Sequence, residues 1–63
     1  MKRSELIRRI GKIAKLRGLT PEYTEGGNHT HVALGDRRTT IPRHNEVNEL
    51  TARSILKYLE EEK

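Results

Sequence analysis

The sequence contains no cysteine, no phenylalanine and no tryptophan, and it has two tyrosines. Without cysteine the chain forms neither a disulfide framework nor a zinc site with thiolate ligands. No stretch resembles a signal peptide, and no apolar run is long enough to cross a membrane. With 63 residues, of which 32% are hydrophobic, the chain can build only a small core. We therefore expect one cytoplasmic domain, residues 1–63, with no membrane partner.

Positive charge is concentrated at the start of the chain. Residues 1–18 carry seven Lys or Arg and one Glu, a net charge of +6, whereas residues 19–63 carry six basic and eight acidic side chains, a net charge of −2. A basic segment of this kind is typical of proteins that bind a polyanion such as RNA. A solvated helix face produces the same pattern, so charge alone does not decide between the two.

Two amphipathic helices are predicted, one near each end of the chain. Residues 4–17 have apolar residues at helical spacing, with Ser4 as the expected N-cap and Gly18 just past the end. Asn48 is the expected N-cap of a second helix over residues 49–61. The apolar positions of the two helices are Leu6, Ile7, Ile10, Ile13 and Ala14, then Ala52, Ile55, Leu56 and Leu59.

Three short strands separated by turns are predicted between the helices. A two-residue Gly35-Asp36 loop suits a type II′ hairpin turn, and Gly26-Gly27-Asn28 suits an earlier turn. Pro21 should delay the start of the first strand or place it at an edge, and pairing of the third should end at Pro42. The expected strands are residues 20–25, 29–34 and 37–42.

The Gly35-Asp36 turn also predicts which side chains share a face of the sheet. It places Leu34 opposite Arg37 and Thr30 opposite Ile41, so the apolar residues of both strands point to one side. The other side receives His29, His31, Arg38 and Thr40. Both helices need an apolar surface, so we expect an α+β fold of order α-β-β-β-α, with a three-stranded antiparallel sheet and both helices on one face.

The histidines His29, His31 and His44 allow several interpretations. Imidazole suits general acid–base cleavage of RNA through its own 2′-hydroxyl, because its unperturbed pKa of about 6.5 lies near neutral pH. Cations such as Arg38 and Arg43 would then stabilise the charge on the phosphate, and no metal is required. A His-x-His pair also suits zinc, with His44 as a third ligand, although no acidic residue stands beside the pair in the sequence.

Two further interpretations involve neither catalysis nor a metal. The strand face can be a passive nucleic-acid-binding surface, although the absence of Phe and Trp argues against base stacking. Exposed polar residues are also ordinary on a solvent-facing strand, and one His-x-His pair is a weak signal. Lys12 and Lys15, on the polar side of the first helix, are candidates for guiding RNA electrostatically.

Four short motifs, in order, resemble the HicA family of toxin–antitoxin ribonucleases across nearly the whole chain. They are Gly27-Asn28-His29, Asp36-Arg37-Arg38, Pro42-Arg43-His44 and Arg53-Ser54-Ile55-Leu56. Asn28 stands where that family usually has serine.

The resemblance implies a fold like that of double-stranded RNA-binding domains and metal-independent cleavage of mRNA, without a cofactor. It places the essential histidine at His29, and it implies inhibition by a HicB-type antitoxin. The residues expected to contact RNA are Lys12, Lys15, Gly27, Asn28, His31, Arg38, Arg43 and His44. We expect the chain alone to be a monomer or a weak dimer.

Overall fold

The computed structural model describes residues 1–60. The order of elements is α1 (Arg3–Leu16), β1 (Glu22–Gly26), β2 (His29–Leu34), β3 (Arg37–Pro42) and α2 (Glu49–Glu60). The strands form one antiparallel sheet in the order β1-β2-β3, so the α+β arrangement is as predicted. The expected end of the second helix, residue 61, lies outside the described residues. Within residues 1–60 no helix is long and apolar enough to cross a membrane.

The start of α1 differs from the prediction, and Ser4 is not its N-cap. The N-cap residue is Lys2, which makes no side-chain cap hydrogen bond. Its carbonyl oxygen accepts from the Leu6 N–H at 3.0 Å, and the Arg3 N–H donates to the Asn45 carbonyl at 2.8 Å. A contact with the loop before α2 thus satisfies one of the donors that a local cap would have served.

The end of α1 and the start of α2 follow the sequence signals. Gly18 has φ +70°, and the N–H of Leu19 donates to the Ala14 carbonyl at 2.8 Å, as in a Schellman motif. Asn48 caps α2, because its Oδ1 accepts from the N–H of Leu50 at 2.8 Å and of Thr51 at 3.4 Å.

The two hairpins determine which residues the sheet exposes. Gly35 has φ +65° and Asp36 does not have positive φ, in agreement with a type II′ turn. The predicted β2–β3 pairing is confirmed from Leu34↔Arg37 to Thr30↔Ile41, and it ends with His29↔Pro42. In the first hairpin, Gly26 belongs to β1 and pairs with His29, so that turn is shorter than predicted.

The core lies between the helices and one face of the sheet, as predicted. It includes Val32, Leu34 and Ile41 from the sheet, each at most 1% exposed. Val47, in the loop before α2, is an additional member that the periodicity did not indicate. The remaining core residues come from the two helices: Leu6, Ile10, Ala14, Ala52, Ile55 and Leu59.

Candidate functional site

The sheet face turned away from the helices, here called the open face, carries two of the three histidines. β2 is the central strand, and its His29 and His31 are both exposed, as predicted. His29 lies between Gly26 and Pro42 in the register, and His31 lies between Thr24 and Thr40. Because these neighbours are small, both imidazoles are accessible to a molecule that lies across the sheet.

Glycine at position 26 provides the space that the His31 ring occupies. A Cβ added to Gly26 would lie 3.1 Å from Nε2 and 3.2 Å from Cδ2 of His31. The ring of His31 therefore lies beside Gly26, the residue of β1 that pairs with His29. The two histidines belong to one continuous surface, with Cα atoms about 7 Å apart along an extended strand.

Arg38 lies on the open face, as predicted, but beside His31 rather than His29. It is opposite Ala33, four residues along β2 from His29, which corresponds to about 13 Å of strand. Glu22, on the other side of Ala33, brings a carboxylate to the same end of the sheet. A shallow groove of about 340 Å³ includes Glu22, His31 and Arg38 in its lining.

A hydrogen-bonded chain of four residues lies at the His29 end of the sheet, on its core side. Thr30 is 1% exposed. Its hydroxyl accepts a hydrogen bond from Arg3 Nη2 at 2.7 Å and donates one to Glu25 Oε1 at 3.0 Å. The same Glu25 oxygen lies 2.7 Å from Arg43 Nη2. Arg3 Nε also donates to the Pro42 carbonyl at 3.2 Å. This chain, here called the Thr30 network, connects α1 to all three strands around His29.

The Thr30 network changes the interpretation of Arg43. The sequence predicts Arg43 as a cation for RNA phosphate, whereas in the structure its guanidinium forms an ion pair with Glu25. A role for Arg3 or Glu25 was not predicted from the sequence. The sequence indicates such partners only indirectly, because Thr30 is a polar residue on the core face and a buried hydroxyl needs hydrogen-bond partners.

Three further predicted site residues, Gly27, Asn28 and His44, lie in the chain close to His29 or to its partner Pro42. Gly27 and Asn28 form the exposed turn directly before His29, and Gly27 has φ +29°. His44 is exposed two residues beyond Pro42. In residues 1–60 no three His, Asp or Glu side chains come together as possible metal ligands, so His44 does not complete a set with His29 and His31.

Lys12 and Lys15 are exposed on α1, and the structure does not bring them to the histidines. Both helices cover the core face of the sheet, so these lysines lie on the opposite side of the molecule from the open face. Nearby, the Glu5 carboxylate accepts hydrogen bonds from Arg8 and Arg9, which lower its pKa from 4.5 to about 2. The basic side of α1 is therefore partly neutralised by its own glutamate.

In comparisons with known proteins, no family model, no curated protein and no solved structure matches this chain.

Proposed function

We propose that this chain is a metal-independent endoribonuclease of the HicA type, the toxin of a toxin–antitoxin pair. The observation that carries the proposal is the placement of His29 and His31 at i and i+2 of the central strand, both exposed on the open face. Two imidazoles on one accessible surface supply both a proton acceptor and a proton donor for RNA cleavage.

In the proposed reaction His29 removes the proton from a ribose 2′-hydroxyl. The resulting oxygen attacks the adjacent phosphorus, the P–O5′ bond breaks, and the leaving oxygen takes a proton from a second imidazole. His31 suits this second role because it shares the surface with His29; His44 is the alternative. The products are a 2′,3′-cyclic phosphate and a 5′-hydroxyl, so the substrate supplies its own nucleophile.

The sequence motifs support the biological setting of the proposal. Gly27-Asn28-His29 places the reacting imidazole next to a turn whose backbone, at Gly27 and Asn28, is exposed to an approaching phosphate. By resemblance, the substrate is mRNA in the cytoplasm, and a HicB-type antitoxin covers the site until the antitoxin is degraded.

Expression in a bacterial host tests the proposal directly. The wild type should arrest growth and deplete a reporter mRNA, and His29→Ala should do neither, because loss of a general acid–base lowers the rate by about 10²–10⁴-fold. Thr51→Ala, an exposed change on α2, is the matched control and should behave as the wild type. Intact mRNA with soluble wild-type protein would contradict the proposal. The purified enzyme should also cut RNA in the presence of EDTA.

One observation favours a second candidate, a module that binds RNA or an antitoxin without cutting. Neither of the two arginines expected to stabilise phosphate charge lies unpaired beside His29: Arg38 lies four residues along the sheet, and Arg43 is paired with Glu25. A purified protein that binds RNA without cleaving it, and binds equally well as His29→Ala, would establish this alternative.

A further inference from the structure

A groove of about 770 Å³ runs between α1 and α2 on the side of the molecule opposite the histidines. Its apolar lining residues, here called the floor, are Ile13, Leu16 and Leu56. Its other lining residues, here called the rim, are basic except for Glu60, at the end of α2. The basic rim residues, contributed by both helices, are Arg8, Arg9, Lys12, Arg53 and Lys57. We call this feature the helix groove.

The apolar floor of the helix groove is exposed. Leu16 retains 83% of its surface, whereas Ile13 and Leu56 are partly buried at the edge of the core. These residues continue the apolar stripes of the two helices beyond the contact that the helices make with each other. Apolar surface rimmed by polar groups is typical of sites that bind another protein.

The charge on the rim is only partly balanced. Arg8 and Arg9 share the carboxylate of Glu5, at 2.6 and 2.9 Å. Arg53 has a long contact with Glu49, at 3.8 Å. Within residues 1–60, Lys12 and Lys57 have no ion-pair partner. The two lysines come from different helices, so the free positive charge borders the floor on both sides.

We propose that the helix groove binds an amphipathic helix of a partner protein, with apolar residues on one side and Asp or Glu beside them. The apolar side would cover Leu16 and its neighbours, and the acidic residues would pair with Lys12 and Lys57. Recognition of this kind places a helix in a groove through residues at i, i+3, i+4 and i+7. The proposal does not depend on ribonuclease activity.

The chemistry of the floor favours a protein segment over RNA. A phosphate backbone has no apolar surface with which to cover Leu16, Ile13 and Leu56. Aromatic side chains are the usual platforms for base stacking, and the residues that line this groove include none. A peptide helix matches both parts of the groove, since its aliphatic side chains bury the floor and its carboxylates meet the rim.

The test uses a synthetic helical peptide with leucines along one face and glutamates elsewhere, beside a scrambled peptide of the same composition. Titration of the ¹⁵N-labelled full chain should shift the amide signals of residues lining the helix groove, and only with the patterned peptide. Lys57→Glu should weaken binding by about tenfold or more, because it replaces an attraction with a repulsion. Arg38→Glu has the same change in charge on the open face, and it should leave peptide affinity within about twofold.

Three outcomes would overturn the proposal. The first is equal binding of the scrambled peptide, which would show attraction by net charge alone. The second is peptide-induced shifts on the open face or no shifts at all. The third is an RNA oligonucleotide that shifts the groove signals while the patterned peptide does not. Because no arm measures cleavage, failure here and failure of the ribonuclease proposal are separate results.

Discussion

The open face and the helix groove offer different chemistry to a partner. The open face presents imidazoles and hydroxyls between small neighbours, with Arg38 and Glu22 of opposite sign at one end. The helix groove presents five cations around exposed aliphatic carbon. Reactive groups and concentrated positive charge thus lie on opposite sides of one thin core. A polyanion attracted by the helices is not thereby delivered to the histidines, so the two surfaces suit two partners better than one.

A substitution in the core between the two surfaces should have the largest effect on stability, because both surfaces depend on the core. Leu34 is fully buried, and Leu34→Ala should lower the free energy of unfolding by about 2–5 kcal/mol. Leu16→Ala makes the same change at a side chain that is 83% exposed, and it should cost less than about 0.5 kcal/mol. Urea unfolding of both variants measures the difference. Equal losses would mean that Leu16 is packed and that the helix groove is closed.

Thr30 and Thr40 allow a matched test of the two faces of the sheet itself. Thr30→Val removes the hydroxyl that joins Arg3 to Glu25, and it should cost about 1–3 kcal/mol because two charged side chains each lose a partly buried hydrogen bond. Thr40→Val, on the open face, should change stability by less than about 0.5 kcal/mol. Thermal or urea unfolding distinguishes them. A similar loss of stability in the two variants would show that the Thr30 network does not stabilise the fold.

The salt dependence of affinity tests which surface carries the proposed RNA binding. If the open face binds RNA, Arg38→Ala should reduce the slope of log affinity against log salt by about 1, the loss of one phosphate contact. Arg53→Ala removes the same side chain from the helix groove and should leave that slope unchanged. Fluorescence anisotropy at several salt concentrations gives both slopes. The reverse result would place RNA in the groove.

The smallest expected effect concerns Glu5, which partly neutralises the basic side of α1. Its pKa is lowered from 4.5 to about 2 by hydrogen bonds from Arg8 and Arg9. A carboxylate with a lowered pKa stabilises the fold above its unfolded pKa, and the contribution is lost as pH falls through the folded value. The stability difference between wild type and Glu5→Gln should therefore be present at pH 6 and disappear between pH 4.5 and about 2.

Urea unfolding across that pH range measures the Glu5 effect. Because the ion pairs are exposed, the difference should also be small in high salt. A difference that persists unchanged at pH 2 would mean that packing, and not charge, accounts for the role of Glu5.

The sheet and its faces could be predicted from the sequence because local rules determine them. The Gly35-Asp36 turn sets a register, and the period-two alternation then assigns His29, His31 and Arg38 to the open face. The caps at Gly18 and Asn48 are local as well. In these places the backbone conformation depends on residues that are close in the chain.

Contacts between residues that are distant in the chain could not be predicted from the sequence. The start of α1 depends on Asn45, and Arg43 forms an ion pair with Glu25; neither partner follows from spacing or composition. The separation of Lys12 and Lys15 from the histidines has a different origin. The lysines lie on the polar side of α1 and the histidines on the open face, and packing both helices on the core face puts these two groups on opposite sides of the sheet.

The pair formed by Glu25 and Arg43 has a consequence for selectivity. Since Arg43 Nη2 already has an anion at 2.7 Å, a ligand anion that binds the same nitrogen competes with Glu25, and binding there is an exchange of one anion for another. A monovalent carboxylate from a ligand gains little in such an exchange. A phosphate group with more charge and more acceptor oxygens gains more. Competition with Glu25 therefore favours phosphate over carboxylate as a ligand of this Arg43 nitrogen.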